Sequence, residues 1–213
     1  PTSISDSKHC LKLQTRRRCS ISGLEKKFMN KLLKYLLLGI LLVPLTIVAH
    51  ELGHFVIYYL FGAENVRLHA FSVSAGKDNL NNLQIAVANI FGPLITYATI
   101  AAAYIFSKKN YNAAWIITAL AAPLGRIVNF GYIYFRLAGY NPNPNFDEFN
   151  FSKNLGIEPL ILSVVTAILI ITTFVIFFGK AWRAGKFKEI GLVIASLIVG
   201  VMVWNFVGGY ILP

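Results

Sequence analysis

Residues 32–61 are almost continuously apolar, and this run limits the possible folds more than any other feature of the chain. About 20 helical residues cross the hydrocarbon of a bilayer, so the run is long enough to span it. At that depth every backbone polar group needs a partner within the protein, which leaves helices or closed barrels. Four more apolar runs follow, at residues 83–106, 113–135, 159–178 and 190–212. Only 14% of residues are charged and 56% are hydrophobic; soluble domains carry about 25% charge. The expected fold is an all-α polytopic membrane protein with about five transmembrane helices. Pro44 is expected to kink the first.

One stretch breaks the pattern. Residues 66–73 are rich in strand formers, and Ala75-Gly76-Lys77-Asp78-Asn79 reads as a turn. A small β-hairpin-like segment is therefore expected after the first helix. The chain divides into a basic polar tail (1–31), a core of three spans with a polar loop (32–158), and two C-terminal spans (159–213).

The net charge of +11 is concentrated. Nine of the twenty Lys and Arg residues lie between Lys8 and Lys34, just before the first span. Such a flank reads as a topology signal and a contact for the lipid bilayer, not as a nucleic-acid surface. With the N-terminus in the cytosol, inside segments hold fifteen basic residues and outside segments four. A cytosolic N-terminus is the expected orientation. The tail reads as disordered, followed by a surface helix over residues 24–34. Cys10 and Cys19 give no disulfide framework and read as free thiols.

The chemistry concentrates in His50-Glu51-Leu52-Gly53-His54, an H-E-x-x-H pattern inside the first span. Helical residues four apart share a face, with Cβ atoms about 5–6 Å apart. Two imidazoles can therefore reach one zinc ion, while Glu51 reaches water beside it as a general base. Ionisable groups at membrane depth are costly and point to function. Glu51 is about 24 Å of helix rise beyond Tyr35 and about 15 Å before Phe61, well inside the hydrocarbon. Catalytic zinc usually takes a third protein ligand. His9 lies in the tail, His69 on the strand-like stretch and Asp78 in a turn, which leaves Asp147 and Glu148. Arg126 falls midway along the third span and needs a partner there. Glu148 is one candidate and backbone carbonyls are another; support of an oxyanion is a further role.

With these motifs in place, the chain resembles the site-two protease family of intramembrane zinc metalloproteases. His50-Glu51-Leu52-Gly53-His54, Phe91-Gly92-Pro93-Leu94 and Pro142-Asn143-Pro144-Asn145-Phe146-Asp147 carry the resemblance, in the family's order. It covers about residues 35–150. The resemblance implies one catalytic zinc ion (Zn2+), Asp147 as third ligand and proteolysis of transmembrane protein substrates. Two positions depart from the family pattern. Thr96 stands where the family usually has Asn, a contact for substrate or motif. Glu148 stands where it usually has Gly, and so is an alternative ligand.

Cleavage inside a membrane needs a locally unwound substrate whose freed backbone groups find protein partners. A strand edge within residues 66–73 could supply them. Asn141, Asn143 and Asn145 could do so from the other side, on a loop that Pro142 and Pro144 keep out of a regular helix. Two other classes fit the same residues: a non-catalytic membrane-embedded zinc-binding protein, and a metal transporter.

Overall fold

The computed structural model describes residues 4–108 and 111–212, with side chains from Glu25 onward. The side chains of His9, Cys10, Cys19 and Lys109 lie outside that description. Helix α1 runs Ile4–Leu60. Strands β1 (Glu64–Leu68) and β2 (Val73–Gly76) follow. Then come α2 (Asn82–Phe106), α3 (Ala113–Ala121), α4 (Val128–Leu137), α5 (Asp147–Leu155), α6 (Pro159–Arg183) and α7 (Ile190–Ile211). Among the described residues, five segments are long and apolar enough to cross a membrane: Glu25–Leu60, Asn82–Phe106, Ala113–Leu137, Pro159–Arg183 and Phe187–Ile211. The expected fold class is therefore the observed one. The basic stretch expected as a disordered tail belongs instead to α1, whose helix begins at Ile4.

The third span is not one helix. Between α3 and α4 lies a 3-10 turn, Leu124–Ile127. Pro123 has no N–H to donate, and its ring clashes with the carbonyl four residues back. Pro44 and Pro93, by contrast, remain inside α1 and α2. The break carries Arg126, which is buried.

β1 and β2 pair antiparallel, as the strand-rich composition suggested. The connecting turn lies elsewhere than expected. It covers residues 69–72, where the His69 N–H donates to the Ser72 carbonyl at 2.8 Å. Ala75 and Gly76 are strand, and the Asp78-Asn79 turn leads on to α2. Asn81 then caps α2, accepting from the Gln84 N–H while the Gln84 side chain accepts from the Asn81 N–H. The hairpin tip is tied to α7. Trp204 Nε1 donates to the Ala70 carbonyl at 3.1 Å, and the Ala70 N–H donates to the Leu212 carbonyl at 3.1 Å.

An apolar core joins α1, α3, α6 and α7 through Val43, Ile117, Leu120, Phe177 and Val193. Leu41, Leu45, Ile161 and Phe206 are exposed on the outer faces, as lipid contact requires. Glycines set the spacing between α1 and α7. A Cβ on Gly39 would lie 2.1 Å from the Ser196 carbonyl oxygen, and one on Gly200 would lie 2.5 Å from that of Gly39. Small residues let membrane helices approach this closely. Gly39→Ala is expected to cost about 1–3 kcal/mol through overpacking, read as a lower midpoint of thermal unfolding in detergent.

Candidate metal centre

α1 presents His50 and His54 on one face, and both are buried. The backbone of α2 closes over them. His54 Nδ1 lies 2.7 Å from the Ala88 carbonyl, which can only accept, so Nδ1 carries a proton. That turns Nε2 of the neutral ring, with its lone pair, toward the interior. His50 Nδ1 lies 2.9 Å from Thr96 Oγ1. Its Nε2 lies 3.1 Å from Arg126 Nη2. Arginine has no acceptor, so His50 Nε2 accepts there and its Nδ1–H donates to Thr96. Ala88 thus fixes the tautomer of His54 and Arg126 that of His50, with Thr96 accepting from His50, as second-shell groups around bound metals do.

The polar loop brings in the acid. Residues 140–146 have no regular structure, and α5 starts at Asp147. Asp147 and Glu148 occupy its first turn, where the helix dipole favours negative charge. Asp147 Oδ2 lies 3.1 Å from His50 Nε2 and 3.1 Å from His54 Nε2. The two Nε2 atoms are also 3.1 Å apart. His50, His54 and Asp147 therefore form a group that can hold a metal ion. Burial pushes the Asp147 carboxyl up, and the Arg126 guanidinium beside it favours the ionised form.

Glu148 takes a different place. It is 1% exposed and turned away from the histidines, with Oε2 accepting from Arg126 Nη1 at 3.2 Å. The same Nη1 donates to Asp147 Oδ2 at 2.5 Å. Arg126 thus pairs with both carboxylates.

A cavity of about 550 Å³ opens onto this group. Glu51, Arg126 and Asn145 line it beside the three metal-ligand candidates. Its far wall includes Phe71, Ser72 and Val73 of the hairpin and Asn205 of α7. Asn141 and Asn143 are not on that wall. They accept hydrogen bonds from Arg136 and Lys153 at the surface. Thr96 faces His50 instead of the cavity.

Three features of the site went unrecognised in the sequence. The Ala88 carbonyl carries no side-chain signal. Asn205 had one, as an amide in an otherwise apolar helix. Gly92 lies in a motif already singled out, but its role emerges only in three dimensions. A Cβ there would lie 2.2 Å from His54 Nε2 and 2.7 Å from His50 Cε1.

Fold and site define a multi-pass membrane protein with a candidate metal centre between its first three spans and the start of α5. The chain matches no protein-family model, no curated protein and no solved structure with which it was compared.

Gly92→Ala is expected to displace both imidazoles. Bound metal measured on purified protein should fall from about one ion per chain to near zero. Thr96→Val keeps the space but removes the His50 partner, and should weaken metal affinity by about 10–100-fold.

Proposed function

We propose that this chain is an intramembrane zinc endopeptidase that cleaves transmembrane segments of other proteins, in the manner of the site-two proteases it resembles. The observation that carries the reading is the arrangement of two imidazole nitrogens and one carboxylate oxygen, each 3.1 Å from the others, beside Glu51. Zinc bonds of about 2.0–2.1 Å set tetrahedral ligand atoms about 3.3–3.4 Å apart. The donor set is therefore close to the size zinc requires, and its N/N/O chemistry suits that ion. Three such electron-rich atoms repel one another unless a cation or proton sits among them.

Zinc, when bound, supplies a Lewis acid that acidifies water and polarises a carbonyl. The remaining work falls to the chain. Glu51 follows His50 on α1 and lines the same cavity, so its carboxylate is placed to take a proton from water and return it to the leaving amine. Thr96 and Ala88 hold the imidazoles in register. Phe71, Ser72 and Val73 bring the hairpin tip and the start of β2 to the cavity wall, where backbone groups can pair with an unwound substrate. The amides of Asn145 and Asn205 face the same space and can bind freed peptide groups. The basic flank of α1 favours a cytosolic N-terminus in this reading.

The test is cleavage of a model transmembrane substrate in liposomes. Glu51→Gln should retain the metal and slow cleavage by at least about 100-fold. His54→Ala should lose both metal and cleavage. Chelation should stop the wild type, and added zinc should restore it. Cleavage by Glu51→Gln at the wild-type rate would remove the general base, and with it this reading.

A further inference from the structure

Arg126 occupies an unusual position for a residue beside a metal group. Its Nη1 donates to Asp147 Oδ2 at 2.5 Å, and its Nη2 donates to His50 Nε2 at 3.1 Å. Those acceptors are two of the three atoms that would bind the ion. The guanidinium stands where it neutralises them. Glu148 offers it a second place to go. Glu148 Oε2 is already 3.2 Å from Nη1, while Glu148 Oε1 is buried without a hydrogen-bond partner among the described residues. A buried carboxylate oxygen without a donor is costly, and a planar guanidinium fits both oxygens of one carboxylate at once.

We propose that Arg126 is a resident counter-cation that competes with the metal ion for Asp147 and His50, and that Glu148 is the acceptor onto which it moves when the ion binds. This rests on the metal-binding part of the reading above and is independent of proteolysis. In the metal-free state the guanidinium holds the ligand atoms together and cancels part of their charge. Binding displaces it by a small rotation onto Glu148, where Oε1 gains the donor it lacks. No bond to hydrogen need break, because arginine stays protonated in both states. Arg126 is in these terms a positioning residue that sets metal affinity.

The experiment is zinc affinity by chelator competition on purified full-length protein in detergent, with thermal unfolding of metal-free and zinc-loaded forms. Cobalt absorption reports the ligand set. Arg126→Gln removes the competitor. Arg126→Lys keeps the charge, but a single ammonium on a flexible stem cannot span Asp147 and His50 as the fork does. Both variants should bind zinc more tightly than wild type, by about tenfold or more, and melt at a lower temperature without metal. Glu148→Gln leaves no full acceptor for the displaced guanidinium and should bind zinc more weakly, with an unchanged cobalt spectrum. If Arg126→Lys binds zinc no more tightly than wild type, charge alone acts and the exchange is overturned. Weaker zinc binding in both arginine variants would make Arg126 a support of the site, and overturns it equally. A wild type that binds no zinc defeats the metal reading itself. Wild-type binding that His54→Ala abolishes, without tightening in the arginine variants, defeats only the exchange.

Discussion

Ionisable groups at the depth of apolar helices have to be met by other groups of the same chain, and that requirement organises much of this structure. α1 carries His50, Glu51 and His54 within a segment long and apolar enough to cross a membrane. α3 and α4 bring Arg126, and α5 begins with Asp147 and Glu148. Irregular backbone is tolerated at such depth only where protein or a water-filled cavity surrounds it. Both irregular segments near the site, the 3-10 turn at Leu124–Ile127 and residues 140–146, do border the cavity. A straight third span would have presented Arg126 on a regular helical face. The break at Pro123 instead buries it, with Nη1 reaching two carboxylates.

The same site depends on what is absent from its walls. α1 is pinched between α2 and α7, and glycines make both contacts possible. On the α2 side, a Cβ on Gly53 would lie 2.9 Å from the Phe91 carbonyl oxygen, beside the point where Gly92 admits the imidazoles. On the α7 side, Gly39 and Gly200 meet backbone to backbone. Helices in lipid gain little from hydrophobic burial against one another, so close van der Waals contact and hydrogen bonds hold them. The geometry of the three donor atoms is thus inherited from helix spacing, with Ala88 and Thr96 adding the final orientation of each ring.

How much of this could be read in advance follows from which signals are local. The five spans were legible because length and apolarity are properties of each segment alone. His50 and His54 were legible because a helix puts residues four apart on one face. The hairpin was legible as a strand-forming stretch, but its turn was displaced. The Asn and Gly residues at 76–79 signal a turn without saying which segments it joins, and here it joins β2 to α2. The break in the third span was missed because prolines at 44 and 93 sit inside helices, so a proline alone does not decide. Asp147 and Glu148 could not be ranked by spacing, since both were candidates on one short loop. Their division of labour appears once Oδ2 of one is 3.1 Å from both imidazoles and the other is buried against Arg126. Ala88 contributes through its backbone, which composition never reveals.

Charge balance gives a reason why Glu148 and Arg126 should occur together. Glu51, Asp147 and Glu148 bring three carboxyl groups to one buried region, and Arg126 brings one fixed cation. Without further charge the ionised set is strongly negative, a state that low-dielectric surroundings penalise heavily. A divalent cation held by His50, His54 and Asp147 would bring the sum to zero. Removing Glu148 alone would leave the site positive with the ion bound, and removing Arg126 alone would leave it negative. The pair cancels, so its presence adds no net charge to the loaded site, yet it adds a guanidinium within reach of the ligands. A chain with glycine after the ligand aspartate and no arginine on the third span would balance its charges equally well. What the pair contributes is therefore not neutrality but position: a donor fork at the edge of the cavity, aimed at atoms that could hold a metal ion.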